Sequence, residues 1–216
     1  MNTRRLIAGL VTCLSLSGCC ATKETPLTSE PTAATDRVRH LLDSADPADL
    51  GWSGSGVHRT LASVPEVGGA LDEVAHDPNE PATRRFKAYE ANAALGRAAR
   101  DATEASRVYA RAFAEASWHD AWGYPDGSPA GAGARIVGFG RVAIPALLEL
   151  LSNTTALQYE GSEEPTMAAL RRYRVKDLAA VWLAAITGES FDASADDPAQ
   201  RDQSIARLAE SALRKD

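Results

Sequence analysis

Three carboxylates and a phenol stand within six residues, Tyr159-Glu160-Gly161-Ser162-Glu163-Glu164. On an irregular loop such a set offers oxygen ligands to a cation or to a basic peptide. The same residues also read as a helix start, with Ser162 as the cap and Glu163 and Glu164 complementing the positive end of the helix. The spacing favours the helix start, and Tyr159, Glu160, Ser162, Glu163 and Glu164 stand as the candidate ligand- or partner-binding residues. An alternative is acid chemistry. Glycoside hydrolysis needs two carboxyls roughly 5–10 Å apart in a cleft, and Glu160, Glu163 and Asp177 are the acids that could supply a hydrolase or a metal-dependent enzyme. The four histidines, His40, His58, His76 and His119, include no pair at i, i+4, so the helical zinc-protease arrangement is missing. His119-Asp120 offers a metal-ligand or acid–base pair, but neighbours on a helix point about 100° apart, and packing at a helix end accounts for them. Gly51-Trp52-Ser53-Gly54-Ser55 has Ser where a nucleophile elbow needs its last glycine, and no apolar strand precedes it. Gly138-Phe139-Gly140 lacks the third glycine of a dinucleotide loop. The expectation is no catalytic set, no cofactor and no metal.

Cysteine placement carries more information. Cys13, Cys19 and Cys20 fall in the first twenty residues and none in the body, which leaves the body no disulfide, thiolate nucleophile or cysteine metal site. Arg4 and Arg5 form a positive start, and Leu6–Leu16 forms an apolar run too short for a bilayer, which takes about 20 residues. Leu16-Ser17-Gly18-Cys19 follows and resembles the bacterial lipobox. The resemblance implies cleavage after residue 18 and acylation of Cys19, the lipid attachment residue, with two or three chains that anchor stably at about 0.8 kcal/mol per buried methylene. Cys20, rather than Asp, follows the anchor. By the same resemblance this implies an envelope lipoprotein, in the outer membrane and facing the periplasm where the cell has two membranes. The expected organisation is a signal over 1–18, an acylated cysteine and Pro/Thr-rich flexible tether over 19–35, and a folded domain over 36–216.

The 216-residue chain is 44% hydrophobic and 24% charged with only 6% aromatic residues, a composition suited to one folded domain of ordinary size. Its net charge of −6 becomes −8 once residues 1–18, with two arginines and no acid, are removed. An acidic surface repels phosphate backbones, which excludes nucleic acid as the natural partner.

The elements that must position these residues read as helices throughout. Asp36 can cap a helix carrying Val38, Leu41 and Leu42, and a Gly/Ser loop over 51–56 interrupts. Ser63 and Glu66 have capping-box spacing, with Pro65 in the first turn, ahead of Val67, Leu71 and Val74. Asp77-Pro78-Asn79-Glu80-Pro81 is a turn into a helix from Ala82 to about Leu95, with Phe86, Tyr89, Asn92 and Ala93 inward and Gly96 as its stop. Thr103 caps a stretch that carries Val108, Ala112, Phe113 and Trp118 and ends near Trp122-Gly123. Helical segments follow at 134–139, 142–151 and 175–187, the last closed by Gly188. Asp197-Pro198 opens a final helix with Ile205, Leu208 and Ala212 on one face. Tyr173-Arg174-Val175 is at most a short extended piece, and Tyr109 and Trp182 belong to the core.

Two stretches resemble HEAT repeats, paired helices of about 40–47 residues that stack into a superhelix. One is Val67–Pro78 with Thr83–Gly96. The other is Gly140–Asn153, centred on Ile144-Pro145-Ala-Leu-Leu-Glu-Leu-Leu151, with Val175–Gly188 as its partner. The turn residues Asp77 and Asn153 lie 76 positions apart, about two such units, with a degenerate pair expected over 103–123. The resemblance implies an all-α fold, a short HEAT-like α-solenoid of stacked antiparallel helix pairs. Such a fold offers a generic groove for a protein or peptide and no deep reaction pocket. The functional expectation is a non-enzymatic, membrane-anchored binding scaffold, with the hydrolase of the 159–177 region as the alternative.

Overall fold

The computed structural model of the chain describes residues 33–50, 54–161 and 163–214, apart from the side chain of Ala48. The signal, Cys19, most of the expected tether, Trp52 with Ser53, and Ser162 lie outside the described residues. Among the described residues the fold is all-helical; extended pairing is confined to an isolated bridge between Ala156 and Arg174.

The first helix, α1 (Ala33–Ser44), begins three residues before Asp36, inside the stretch expected to be tether. Thr35 draws the start back: it is fully buried and its hydroxyl donates to Glu73 at 2.7 Å. Asp36 sits in the first turn instead of capping it and pairs with Arg39 at 3.0 Å. Two short helices follow, α2 (Pro47–Leu50) and α3 (Gly56–Ala62), the second capped by Ser55, whose hydroxyl accepts from the His58 amide at 3.0 Å.

The capping box expected at Ser63 and Glu66 does not form. Ser63 ends α3 and donates to the Thr60 carbonyl, and Glu66 enters α4 (Val67–His76) in the left-handed region, φ +55°. The turn over 77–81 is as the sequence reads, with Asp77 accepting from the Asn79 amide at 2.9 Å, and it leads into α5 (Ala82–Ala94). α4 and α5 form the most extensive helix–helix contact in the fold. Arg84 of α5 makes two bonds to Asp43 of α1, 2.8 and 2.9 Å, and Lys87 donates to the Leu42 and Ala45 carbonyls at 3.0 and 2.7 Å. The two lysine bonds supply a donor to carbonyls at and just beyond the end of α1, where the helical ladder runs out.

Asp101, not Thr103, caps α6 (Ala102–Ala114), accepting from the Thr103 and Glu104 amides at 2.9 and 3.0 Å. A carboxylate two residues upstream reaches both amides, so Thr103 becomes a first-turn residue. α6 stops at Ala114, which leaves Trp118 outside the helical stretch expected to carry it and 55% exposed. Trp122, at the end of a 3-10 turn over Asp120–Trp122, takes the core position. It stacks on Phe86 at a centroid distance of 4.5 Å and tilts against Phe113 at 5.2 Å. The region 103–123 is therefore one helix and a turn rather than a degenerate helix pair.

α7 (Gly131–Gly138) and a 3-10 segment leading into α8 (Ile144–Leu150) meet at a 111° bend, with Gly140 at φ +67°. α8 packs on α10 (Val175–Thr187), the partner expected for it, although α9 (Glu164–Arg171) intervenes in sequence. The intervening chain returns through two backbone bonds of 2.9 Å, Leu157 to the Tyr173 carbonyl and Val175 to the Thr155 carbonyl.

Gly188, φ +71°, ends α10 as predicted, and α11 (Pro198–Arg214) buries Ile205, Leu208 and Ala212. Tyr109 and Trp182 are in the core, Trp182 with no exposed surface. Among the described residues no single helix is long and apolar enough to cross a membrane.

Candidate functional site

The residues singled out from the acidic stretch do not gather at one point. Tyr159 faces inward: it is buried, its hydroxyl donates to the Gly123 carbonyl at 3.0 Å, and its ring lies 5.1 Å from that of Tyr124. Burial among these rings pushes its phenol well above the ordinary range. Glu160 is exposed, and its amide donates to both Asp120 carboxylate oxygens at 3.2 and 3.3 Å. Glu163 and Glu164 are exposed at the start of α9, where negative charge complements the helix dipole.

Asp177 is fully buried, and its carboxylate accepts from Arg174 at 2.9 Å and from the equally buried Arg201 at 3.2 Å. The Arg174–Asp177 pair forms within one helix start and extends to Asp202 of α11 at 2.8 Å. Arg201 also caps α9 through the Arg171 and Arg172 carbonyls, 2.8 and 3.2 Å, and lies over the Tyr173 ring. Asp177 is spent on this buried cluster and meets neither Glu160 nor Glu163. Among the described residues no group of three or more His, Cys, Asp or Glu side chains converges as a metal would require.

His119 is buried and engaged. Its amide donates to the Gln158 carbonyl at 2.8 Å, and the Gln158 amide donates to its Nδ1 at 3.0 Å. Nδ1 as acceptor assigns the proton to Nε2, the neutral tautomer. Burial lowers the pKa from the ordinary histidine value. The ring meets Phe113 edge-on at 5.4 Å. Asp120 is exposed and turned to Glu160, so the two sequence neighbours do separate jobs.

What the structure does gather lies beside them. A cavity of about 490 Å³ opens between α5, the end of α6 and the turn that follows it. Phe86 and Trp122 form its floor. Asp46, Glu115, Asp120 and Glu160 supply four carboxylates, and Trp118 stands at the mouth. Lys87 is the cation in the lining, but its ammonium is held by two carbonyls of the α1 end, and burial lowers its pKa from the ordinary lysine value. Glu115 pairs at 2.9 Å with Arg111, an exposed contact of little energetic weight. The lining is therefore rich in negative charge and carries an exposed indole face, the combination that attracts a desolvated ammonium or guanidinium group.

Sequence reasoning named Glu160 and missed Asp46, Glu115 and Asp120 as its companions. Trp118 is read there only as part of the helical stretch that follows Thr103. Comparison of the chain with family models, curated proteins and solved structures finds no match. The reading of this site therefore rests on its geometry.

Proposed function

We propose that this chain is a lipid-anchored envelope lipoprotein, tethered through Cys19, that acts as a non-enzymatic scaffold and takes a basic segment of a partner protein into the cleft at Trp118. The outer membrane, facing the periplasm, is its place where two membranes exist. The anchor is supported by the basic start, the apolar run and Leu16-Ser17-Gly18-Cys19 occurring in order. In this proposal the helices form a short HEAT-like solenoid. Support comes from the close packing of α4 on α5 and of α8 on α10, the two pairs that carry the repeat resemblance.

One observation carries the binding role. An exposed tryptophan stands beside four carboxylates over an aromatic floor, in a cavity of about 490 Å³. A lysine or arginine side chain entering it gains cation–π contact and Coulomb attraction, about 1–2 kcal/mol for the ring contact alone. Cavities of roughly 300–1,000 Å³ suit a small group or one or two side chains.

The test is tryptophan emission of the full-length chain titrated with octalysine and, separately, octaglutamate. Octalysine binds with a dissociation constant on the order of 10 μM at low salt and weakens as salt is added. Glu160→Lys weakens it about tenfold, as expected for replacing attraction by repulsion at the rim. Trp118→Phe abolishes the emission change. Equal binding of octaglutamate, or an unaltered response in Trp118→Phe, contradicts the proposal.

A further inference from the structure

A second concavity, of about 590 Å³, lies between α5, the connection to α6, α6 itself and the end of α7. Its chemistry is opposite to that of the Trp118 cleft. Tyr89, Tyr109 and Phe139 line it as an aromatic surface, Tyr109 meeting Phe139 at 5.4 Å and Tyr89 at 6.2 Å. Arg97 and Arg135 complete the wall, and the remaining positions are Ala or Gly, which leave the space open.

Cations outnumber acids around it. Arg97 and Arg100 both reach the single carboxylate of Asp72, and Arg135 meets Glu90 at 2.8 Å. Arg85 and Arg107 share Glu104, and Asp101 is the fourth acid nearby. Five guanidinium groups thus answer four carboxylates, in a chain whose overall charge is −6. Arg97 is 42% exposed at its side chain, so its charge is available to solvent.

The decisive group is Tyr89. The residue is 4% exposed, yet its hydroxyl has no hydrogen-bond partner among the described residues. Arg85, whose charge acts on this hydroxyl, bonds the Ala75 carbonyl and Glu104 at 2.9 and 2.6 Å and can only donate, so the proton of the Tyr89 hydroxyl is left without an acceptor. Tyr109, beside it, is satisfied: its hydroxyl donates to Glu90 at 2.6 Å. Leaving a buried hydroxyl unmet is unfavourable, and a ligand that accepts from it recovers that loss.

We infer that this concavity binds a small apolar carboxylate. The ligand's ring or chain lies on Phe139 and Tyr109. Its anionic group faces Arg97 and Arg135 and accepts the hydrogen bond that Tyr89 has to give.

Saturation-transfer NMR on the full-length chain in non-ionic detergent, with protein-free detergent blanks, tests this with benzoate, hexanoate and the neutral benzamide. Benzoate binds with a dissociation constant on the order of 1 mM, as befits a ligand of so few atoms. Benzamide binds at least tenfold more weakly, and the comparison with hexanoate reports whether a ring or an alkyl chain is preferred. Tyr89→Phe and Arg97→Gln each weaken benzoate about tenfold. Without ligand, Tyr89→Phe melts at the wild-type temperature or above it, because the hydroxyl it removes is unpaired; a structural role for that hydroxyl would lower the melting temperature. Benzamide binding as tightly as benzoate, undiminished benzoate binding in Tyr89→Phe, or no transfer above the blank overturns the inference.

Discussion

At the scale of single residues, burial decides which chemical groups are available. His119 has the side chain best suited to acid–base work near neutral pH, but its ring is enclosed, its Nδ1 accepts from Gln158, and its protonated form is disfavoured by desolvation. The consequence is a pH dependence of stability. The folded pKa lies below the unfolded value of about 6.5, so between the two the unfolded chain binds more protons than the folded one. Stability is then full above that value and falls as the pH drops through it toward the folded pKa. Melting temperatures measured between pH 8 and pH 5 should decline on the acid side, and His119→Asn should reduce that decline; an identical profile in the variant contradicts the assignment. The same rule governs Tyr159 and Asp177. Both carry groups that a sequence marks as reactive, yet one hydroxyl is spent on a carbonyl and one carboxylate on two arginines. Trp118 and Tyr89 are the opposite cases, an indole left in solvent and a hydroxyl left without a partner.

At the scale of elements, close approach fixes where aromatic side chains can go. Gly133 of α7 leaves room for the Trp182 ring and the Trp122 backbone: a Cβ there would lie 2.5 Å from both the Trp122 carbonyl and Trp182 Nε1. Neither neighbour is a flexible end, so Gly133→Ala must push α7 away from the core. The expected cost is about 2 kcal/mol, a fall in melting temperature of roughly 4–8 °C for a chain of this size. A melting temperature within a degree of wild type would contradict this account of the α7–α10 contact.

Helices with an apolar period and an unambiguous stop were legible in the sequence: α5 before Gly96, α10 before Gly188, and α11 after Pro198. Boundaries fixed by a tertiary bond or by one of several competing local caps were not. Thr35 lengthens α1 through Glu73, Asp101 displaces Thr103 as a cap, and the loop rich in Gly and Ser hides Ser55, which starts α3. Ser63 and Glu66 have the right spacing for a capping box, but Glu66 is the left-handed entry to α4 and cannot serve as its N3 residue. The site was legible only in Glu160, because Asp46, the 115–120 connection that carries Glu115, Trp118 and Asp120, and Glu160 come from three separate segments that periodicity within one helix does not connect.

At the scale of the whole molecule, two concavities of opposite character belong to a body of net negative charge. The acidic cleft combines long-range attraction with a local ring contact, so a basic segment is drawn in before it is recognised. Attachment to lipid would hold that cleft near a membrane and raise the local concentration of any partner found there. The most direct measurement reconstitutes the acylated chain from Cys19 onward in phosphatidylcholine vesicles, whose zwitterionic surface does not itself attract polycations, and follows sedimentation of fluorescent octalysine. The account predicts that the peptide sediments with these vesicles and with those carrying Glu210→Gln, a distant exposed acid. It also predicts that the peptide stays in the supernatant with Trp118→Ala/Glu160→Gln, and that Cys19→Ser in a chain starting at residue 19 leaves protein and peptide together in solution. Equal sedimentation with the Trp118/Glu160 variant, or retention of the Cys19→Ser chain on the vesicles, would contradict it.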